Sequence, residues 1–541
     1  MWLIGADVER IATVRPGFVL EVDERTPPLL VHSGAGVLLE RFPLGTRVVY
    51  PPQPRPGVGD VDAAIGAALA EPVGSAPLSA LLRPGMRLAI SVDDLRTPQP
   101  RVRGVDARGR ILEQVLSAAA AAGVDEVTLV VANGLHRRLS AAEVAGIVGE
   151  RVFRSFWPTQ LACHDAEDAA NLVEVGRSDA GEPVQIARAV AEADLLVAVG
   201  IVQGPGQGGL GALVEGLSSY ASLRAVHGVA AVTQAAAAGA GGGGTVDGRV
   251  VQGAAAGRVG AVLGAAVPVF AVAATVNAAV GPGPFLTRRE WEWSPADSAL
   301  AFGVGRGLEL LGGRGRARVL RDLAADYAIT SVTAGEPQAV AVAAWQAVDA
   351  QQRVDVDGQS DVVVVGLPPF GAYQGGAPAD PVLAAHGALA DVFARHRGRP
   401  VVRENGAMIV YHPVAARFSQ LHQPSYVDFY EEVLAESSDP ATIEAKFERQ
   451  YATDPWYASL YRTSLAHHGV HPFHRWYETA PARAHLAEVV FVGGDRAVCA
   501  RLGYRAASTL ADALEIVAGS VGRDPSITYL HSPPQLITEV R

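Results

Sequence analysis

Five short runs of Val, Ile and Leu that stop abruptly at Gly, Asp or Asn constrain this chain more than anything else in it: 88–92, 126–132, 194–200, 361–366 and 488–493. Runs that stay apolar at nearly every position suit strands covered on both faces, the condition of a parallel sheet flanked by helices. Between the first two lies 109–123 (GRILEQVLSAAAAAG), an Ala-rich stretch stopped by glycine, which completes a strand–helix–strand unit. Ser140 and Glu143, three apart, form a capping box that opens a helix after the second run. The pattern predicts an α/β fold.

A length of 541 residues exceeds what one core fills, so two α/β domains with mainly parallel sheets are expected. The alternation Gly281-Pro282-Gly283-Pro284 permits neither helix nor strand and divides the chain into 1–281 and 282–541, with the site in the crevice between them. The stretch 235–244 (AAAAGAGGGG) reads as a flexible surface loop. No repeat of solenoid period is present.

Composition excludes several classes of partner. A net charge of -11 with no basic cluster argues against a nucleic-acid surface. The two cysteines, Cys163 and Cys499, form neither a disulfide framework nor a zinc site. Acidic residues interrupt the first ten positions too early for a secretory signal, so a cytoplasmic location is expected. The uncharged stretch 259–280 has helix-like length but is weak in bulk and carries Pro268, so it reads as a helix followed by a buried strand at 267–275 rather than a membrane span. The partner expected is a small molecule. Lys446 is the only lysine, which excludes chemistry needing a second.

In open parallel sheets ligands bind beyond the carboxyl ends of strands, so the residues after each run are the first candidates. The first run leads into Asp94, Leu95 and Arg96, where a carboxylate and a guanidinium could take a hydroxyl and a carboxylate of a substrate; a solvated turn is the plain alternative. The second leads into Asn133-Gly134-Leu135-His136, whose imidazole could act as a general base or simply bond within its loop. The third leads into a glycine-rich loop, 204–211, in which amides at Gly208 and Gly209 could approach an anion, although the order of a phosphate loop is lacking. His227 ends a predicted helix before Gly228 and, taken alone, suits the helix dipole better than a metal. Four histidines, His467, His468, His471 and His474, fall within eight residues and could bind a transition metal, but Pro472 is expected to break the helix that would align them.

The order of these motifs, Asp94-Leu95-Arg96-Thr97-Pro98, Asn133-Gly134-Leu135-His136-Arg137 with Glu143, His164-Asp165, Ala193-Asp194, and Gly216-Leu217-Ser218-Ser219-Tyr220 ending in His227-Gly228, resembles the N-terminal domain of nickel-pincer lactate racemases. The likeness covers about residues 1–230 and is faint beyond 281. It implies an isomerase that uses a lysine-tethered nickel pincer nucleotide, one histidine on nickel and two histidines for proton transfer. Carried over by position, His136 is a proton-transfer base and His227 the nickel ligand. Arg96 stands one place early for the family's carboxylate clamp, and Thr97 occupies the arginine position. The loop after the third run lacks both the second histidine and the lysine, whose place falls on Gly211. The expectation is therefore a divergent racemase or epimerase of a 2-hydroxy acid or sugar acid, with the cofactor held non-covalently near Gly208 and Gly209. His386 or one of His467 to His474 would replace the missing base. The alternative is a ligand-binding or regulatory relative that kept the fold and lost the reaction.

Overall fold

The structure is a computed structural model that describes residues 14–95, 101–204, 207–237, 245–246, 249–250, 253–278, 289–311, 315, 324–325, 327–368, 380–531 and 536–541. Arg96, Thr97, the 281–284 alternation and 238–244 of the glycine-rich stretch lie outside the described residues.

All five apolar runs are strands, and they belong to two sheets. The first sheet has the order Ile329–Gly335, Val269–Val276, Leu195–Val202, Arg87–Asp93, Glu126–Ala132, Leu161–Cys163. Its pairs are parallel except the first, which is antiparallel. The second has the order Phe18–Glu21, Arg47–Tyr50, Ile527–Leu530, Ser360–Gly366, Val402–Tyr411, Glu488–Val492, Arg505–Ala507, again parallel but for an antiparallel first pair.

A division at residue 281 does not separate these sheets. Ile329–Gly335 edges the first sheet, and the strands at 18–21 and 47–50 edge the second. Both edge pairs are antiparallel.

Helices cover both faces of the first sheet. The predicted helix is Ala107–Ala121, N-capped by Asp106 and burying Ile111, Leu112 and Val115 against the strands. The helix Ala254–Ala266 and the strand Val269–Val276 account for the uncharged stretch. No helix among the described residues is long and apolar enough to cross a membrane. The helix Val229–Ala237 takes the first three residues of the Ala/Gly stretch, because alanine favours helix once His227-Gly228 has ended the helix before it.

One core cluster joins distant parts of the chain. Leu135 and Leu223 pack with Tyr426, Phe473 and Trp476, so the histidine-rich segment lies against the loop that carries His136. Full burial of a side chain such as Phe473 contributes about 1.5–3 kcal/mol to that docking. Three hydrogen bonds fix its register: His468 N donates to Leu135 O at 3.1 Å, Tyr461 Oη donates to Gly134 O at 2.6 Å, and Arg137 N donates to His467 Nδ1 at 3.2 Å.

Candidate functional site

His136 sits in the turn after Glu126–Ala132, and Gly134 makes that turn possible. Its φ is +49°, and a Cβ there would stand 2.2 Å from Glu215 O. The turn presses against the helix Gly209–Leu217 and turns the imidazole toward the end of the neighbouring strand. There His136 Nδ1 meets Asp94 Oδ2 at 2.7 Å. Asp94 is only 3% exposed, and it orients an imidazole rather than standing in a solvated turn. Its second anchor is Arg108, whose Nη1 donates to the Asp94 carbonyl at 2.6 Å while its own charge is balanced by Asp106.

The other face of His136 belongs to the C-terminal half. Arg475 Nη2 lies 3.2 Å from His136 Nε2, and Nη1 lies 3.2 Å from His386 Nε2 and 2.7 Å from Glu478 Oε2. Glu478 Oε2 is 2.6 Å from His386 Nε2, and Oε1 is 3.1 Å from His227 Nδ1. His227 stacks on His474 with ring centroids 5.2 Å apart. His471 meets His136 edge-on at 5.2 Å and bonds to Tyr426 Oη through Nδ1 at 2.6 Å. His136, His227, His386, His474, Arg475 and Glu478 all line one cleft of about 1210 Å³.

Pro472 does not break the local helix. His471–Tyr477 is helical with Pro472 in its first turn, where a missing N–H costs nothing. His471, His474, Arg475 and Glu478 then fall at intervals of three and four, the spacing that aligns side chains on one helical face.

Burial sorts these groups by charge. Burial pushes the imidazoles of His467 and His471 well below their ordinary value, and nearby cations add to the effect. His474 is lowered to about 4 by burial, Glu448 opposing. These rings are neutral near pH 7. Burial also disfavours the charged form of His227, but the hydrogen bond it donates to Glu478 and the charges of Glu215 and Glu478 outweigh it and raise the group. Burial pushes the Glu478 carboxyl up, yet Arg475, His227 and His386 together hold it well below the usual carboxylate range.

The glycine-rich loop is divided between the cleft and the start of a helix. Gly204 and Gln207 line the cleft. Gly208 and Gly209, with φ of +83° and +74°, begin the helix Gly209–Leu217, and a Cβ on Gly208 would touch Ala341 at 3.4 Å. Gly211 is buried where that helix crosses Ala254–Ala266; a Cβ on Gly260 would stand 2.9 Å from Gly211 N. Lys446 is exposed on the surface and paired with Glu436. Sequence reasoning missed Arg475 and Glu478, although the helical spacing from His471 was a signal for both.

Among the described residues no group of three or more His, Cys, Asp or Glu is arranged to hold a metal ion by itself. A single imidazole is a different case. His227 gives Nδ1 to a carboxylate, the arrangement that fixes a metal-binding histidine and leaves Nε2 for the metal. The donor set therefore fits a metal that arrives already held by another ligand.

A two-sheet α/β protein with an acid–base cleft at strand ends defines the class. Residues 41–239 match the lactate racemase N-terminal domain family. The chain is 27% identical over 175 residues to the lactate racemase of Lactiplantibacillus plantarum (strain ATCC BAA-793 / NCIMB 8826 / WCFS1), a match covering 29% of this chain and 36% of that protein. The matched part thus spans about a third of the curated relative. The fold is that of the lactate racemase apoprotein from Thermoanaerobacterium thermosaccharolyticum, with a TM-score of 0.61 at 16% identity over 95% of this chain and 100% of that one. The N-terminal part of the chain is thus similar to the lactate racemase N-terminal domain, and the whole chain shares the fold of a lactate racemase apoprotein.

Proposed function

We propose that the chain is a racemase or epimerase of a 2-hydroxy acid or sugar acid, with His136 as one acid–base group and His386 as the other. The observation that carries this reading is that both imidazoles present Nε2 to the same guanidinium, Arg475, from opposite halves of the chain. Inverting a carbon centre in both directions requires a proton acceptor on each side of it. His386 supplies from the second sheet's side what the loop after Leu195–Val202 lacks.

Asp94 holds His136 with Nδ1–H inward, so Nε2 is the atom that takes the hydroxyl proton of the substrate. Arg475 is the carboxylate clamp in place of an arginine in the first loop. On binding a carboxylate through its planar fork it releases Nε2 of His136, whereas Nε2 of His386 stays in contact with the Glu478 carboxylate, which can take and return its proton. His227, oriented by Glu478, is the metal ligand. A nickel pincer nucleotide, when bound, would supply an acceptor for the carbon-bound hydrogen of the substrate. Without a lysine near Gly211, the chain holds such a group by non-covalent contacts alone.

The test is chiral separation of single enantiomers of 2-hydroxy acids and aldonic acids after incubation with protein from a host that makes the cofactor. Interconversion lost in both His136→Asn and His386→Asn supports two-base chemistry. A nickel-loaded wild type that inverts none of them overturns it.

A further inference from the structure

The two imidazoles that face Arg475 are held from behind in comparable ways. His136 has a carboxylate at Nδ1, where Asp94 Oδ2 stands at 2.7 Å. His386 turns Nε2 toward Glu478 and Arg475, which leaves Nδ1 on the far side of its ring. There Asp391 Oδ2 lies 3.6 Å away. Asp391 also lines the cleft, and no step described so far uses it.

The pairing depends on an irregularity in the helix. His386 and Asp391 are five positions apart, and at 3.6 residues per turn an α-helix would set such positions about 140° apart around its axis. The helix that opens at Pro381 keeps α geometry only as far as His386. Gly387–Val392 is a π turn, and Phe393 N donates to the Ala388 carbonyl, five residues back, at 3.0 Å. A turn closed by bonds between residues five apart brings such residues onto one face. Turns of this kind are rare inside α-helices and are frequent at functional sites. In this helix the turn carries one carboxylate to one imidazole.

A separation of 3.6 Å is an ion-pair contact, longer than a hydrogen bond. Catalytic hydrogen bonds are often long before substrate arrives and tighten in the complex. The His386 side chain is 10% exposed and fixed by Glu478, whereas that of Asp391 is 43% exposed and free to turn toward it. The plainer role for Asp391 is to steady Arg395, a buried cation four residues on. That role needs a negative charge but does not touch the imidazole, so the two are separable. Which ring nitrogen of a histidine works is set by the bond that the other one makes.

We propose that Asp391 is the positioning residue of His386, holding Nδ1–H so that Nε2 is the atom that trades a proton with Glu478 and with the substrate. The inference rests on the reading of His386 as the second acid–base group. It gives each imidazole a carboxylate at Nδ1 from its own half of the chain.

Nitrogen NMR on the full chain labelled at histidine tests it without any need for turnover, with His386→Asn to assign the signal. Nδ1 of His386 should bear a proton in wild type, lose it largely in Asp391→Ala and regain it in Asp391→Glu. Should the alanine variant fail to fold by circular dichroism, Asp391→Asn keeps the shape and takes its place. On an active enzyme kcat should fall about tenfold or more, short of the 10²- to 10⁴-fold worth of the base itself, while KM stays within about a factor of two. An unchanged Nδ1 signal in a folded variant overturns the proposal whether or not the chain inverts any substrate, and so does a change confined to KM. A lost Nδ1 proton in a chain that inverts nothing supports the positioning and counts against the racemase reading alone.

Discussion

Arg475 reaches 3.2 Å from Nε2 of His136, a residue 339 positions earlier in the chain. Neither residue can do its proposed work without the other half of the molecule. The loop that carries His136 is set by Gly134 and Asp94, while the guanidinium that faces it is set by the helix His471–Tyr477.

His136→Asn should lower the rate of inversion by about 10²- to 10⁴-fold, the usual worth of a general base, with little change in substrate binding. Steady-state rates by chiral chromatography, with circular dichroism to confirm folding, measure this. A rate within a factor of a few of wild type removes His136 from the chemistry.

Asp94→Asn separates orientation from reaction. The carboxylate touches Nδ1 of His136 and is itself buried, so its loss should reduce kcat while leaving KM nearly unchanged. An equal rise in KM would mean that Asp94 contacts the substrate directly.

Glu478→Gln should make stability less dependent on pH at both ends of the range. The carboxyl of Glu478 is held well below its ordinary value by Arg475 and the two histidines, so its contribution is present above an unfolded pKa near 4.5 and is lost as pH falls through the lower folded value. His227 is raised, so its contribution is present below about 6.5 and is lost as pH climbs through the higher folded value. Removing one partner from this mostly buried cluster should also cost about 3–5 kcal/mol at neutral pH. Denaturant unfolding of both proteins between pH 3 and 9, a range of about the pKa values involved, supplies the comparison. Parallel pH curves for wild type and variant would show that Glu478 does not couple to these groups.

His227→Ala should lose nickel while keeping the fold, because Glu478 retains Arg475 and His386 when the imidazole is gone and the loss to the buried cluster is only partial. Metal content by elemental analysis and intact mass of the same samples answer two questions together. Wild type should carry nickel with no covalent adduct on residues 200–230, since the only lysine is Lys446. Equal nickel in both proteins assigns the metal elsewhere, and an adduct in that peptide refutes non-covalent attachment.

The sheets' interior strands were legible in the sequence because a buried parallel strand carries a continuous apolar run, as Val362 to Val365 do within Ser360–Gly366. The edge strands were not. Ile329–Gly335 mixes Thr, Ser and Gly with its apolar residues, and its membership in the first sheet depends on a chain return that no local pattern records. In the site, His136 and His227 were legible because each follows a strand or ends a helix within a recognisable motif. Arg475 and Glu478 were hidden by Pro472, which reads as a helix breaker but stands in the first turn, where proline is tolerated. Gly208 and Gly209 lead into a helix against Ala341, while Gly204 and Gln207 face the cleft.

The helix His471–Tyr477 has two sides with different occupations. One presents His471, His474 and Arg475 toward the cleft, and the other buries Trp476, whose Nε1 donates to Ser438 O at 3.0 Å under the guanidinium of Arg483. Any displacement of the reactive side must therefore disturb an indole packed out of reach of solvent. The chain carries its own optical gauge of whether the two halves of the cleft are engaged.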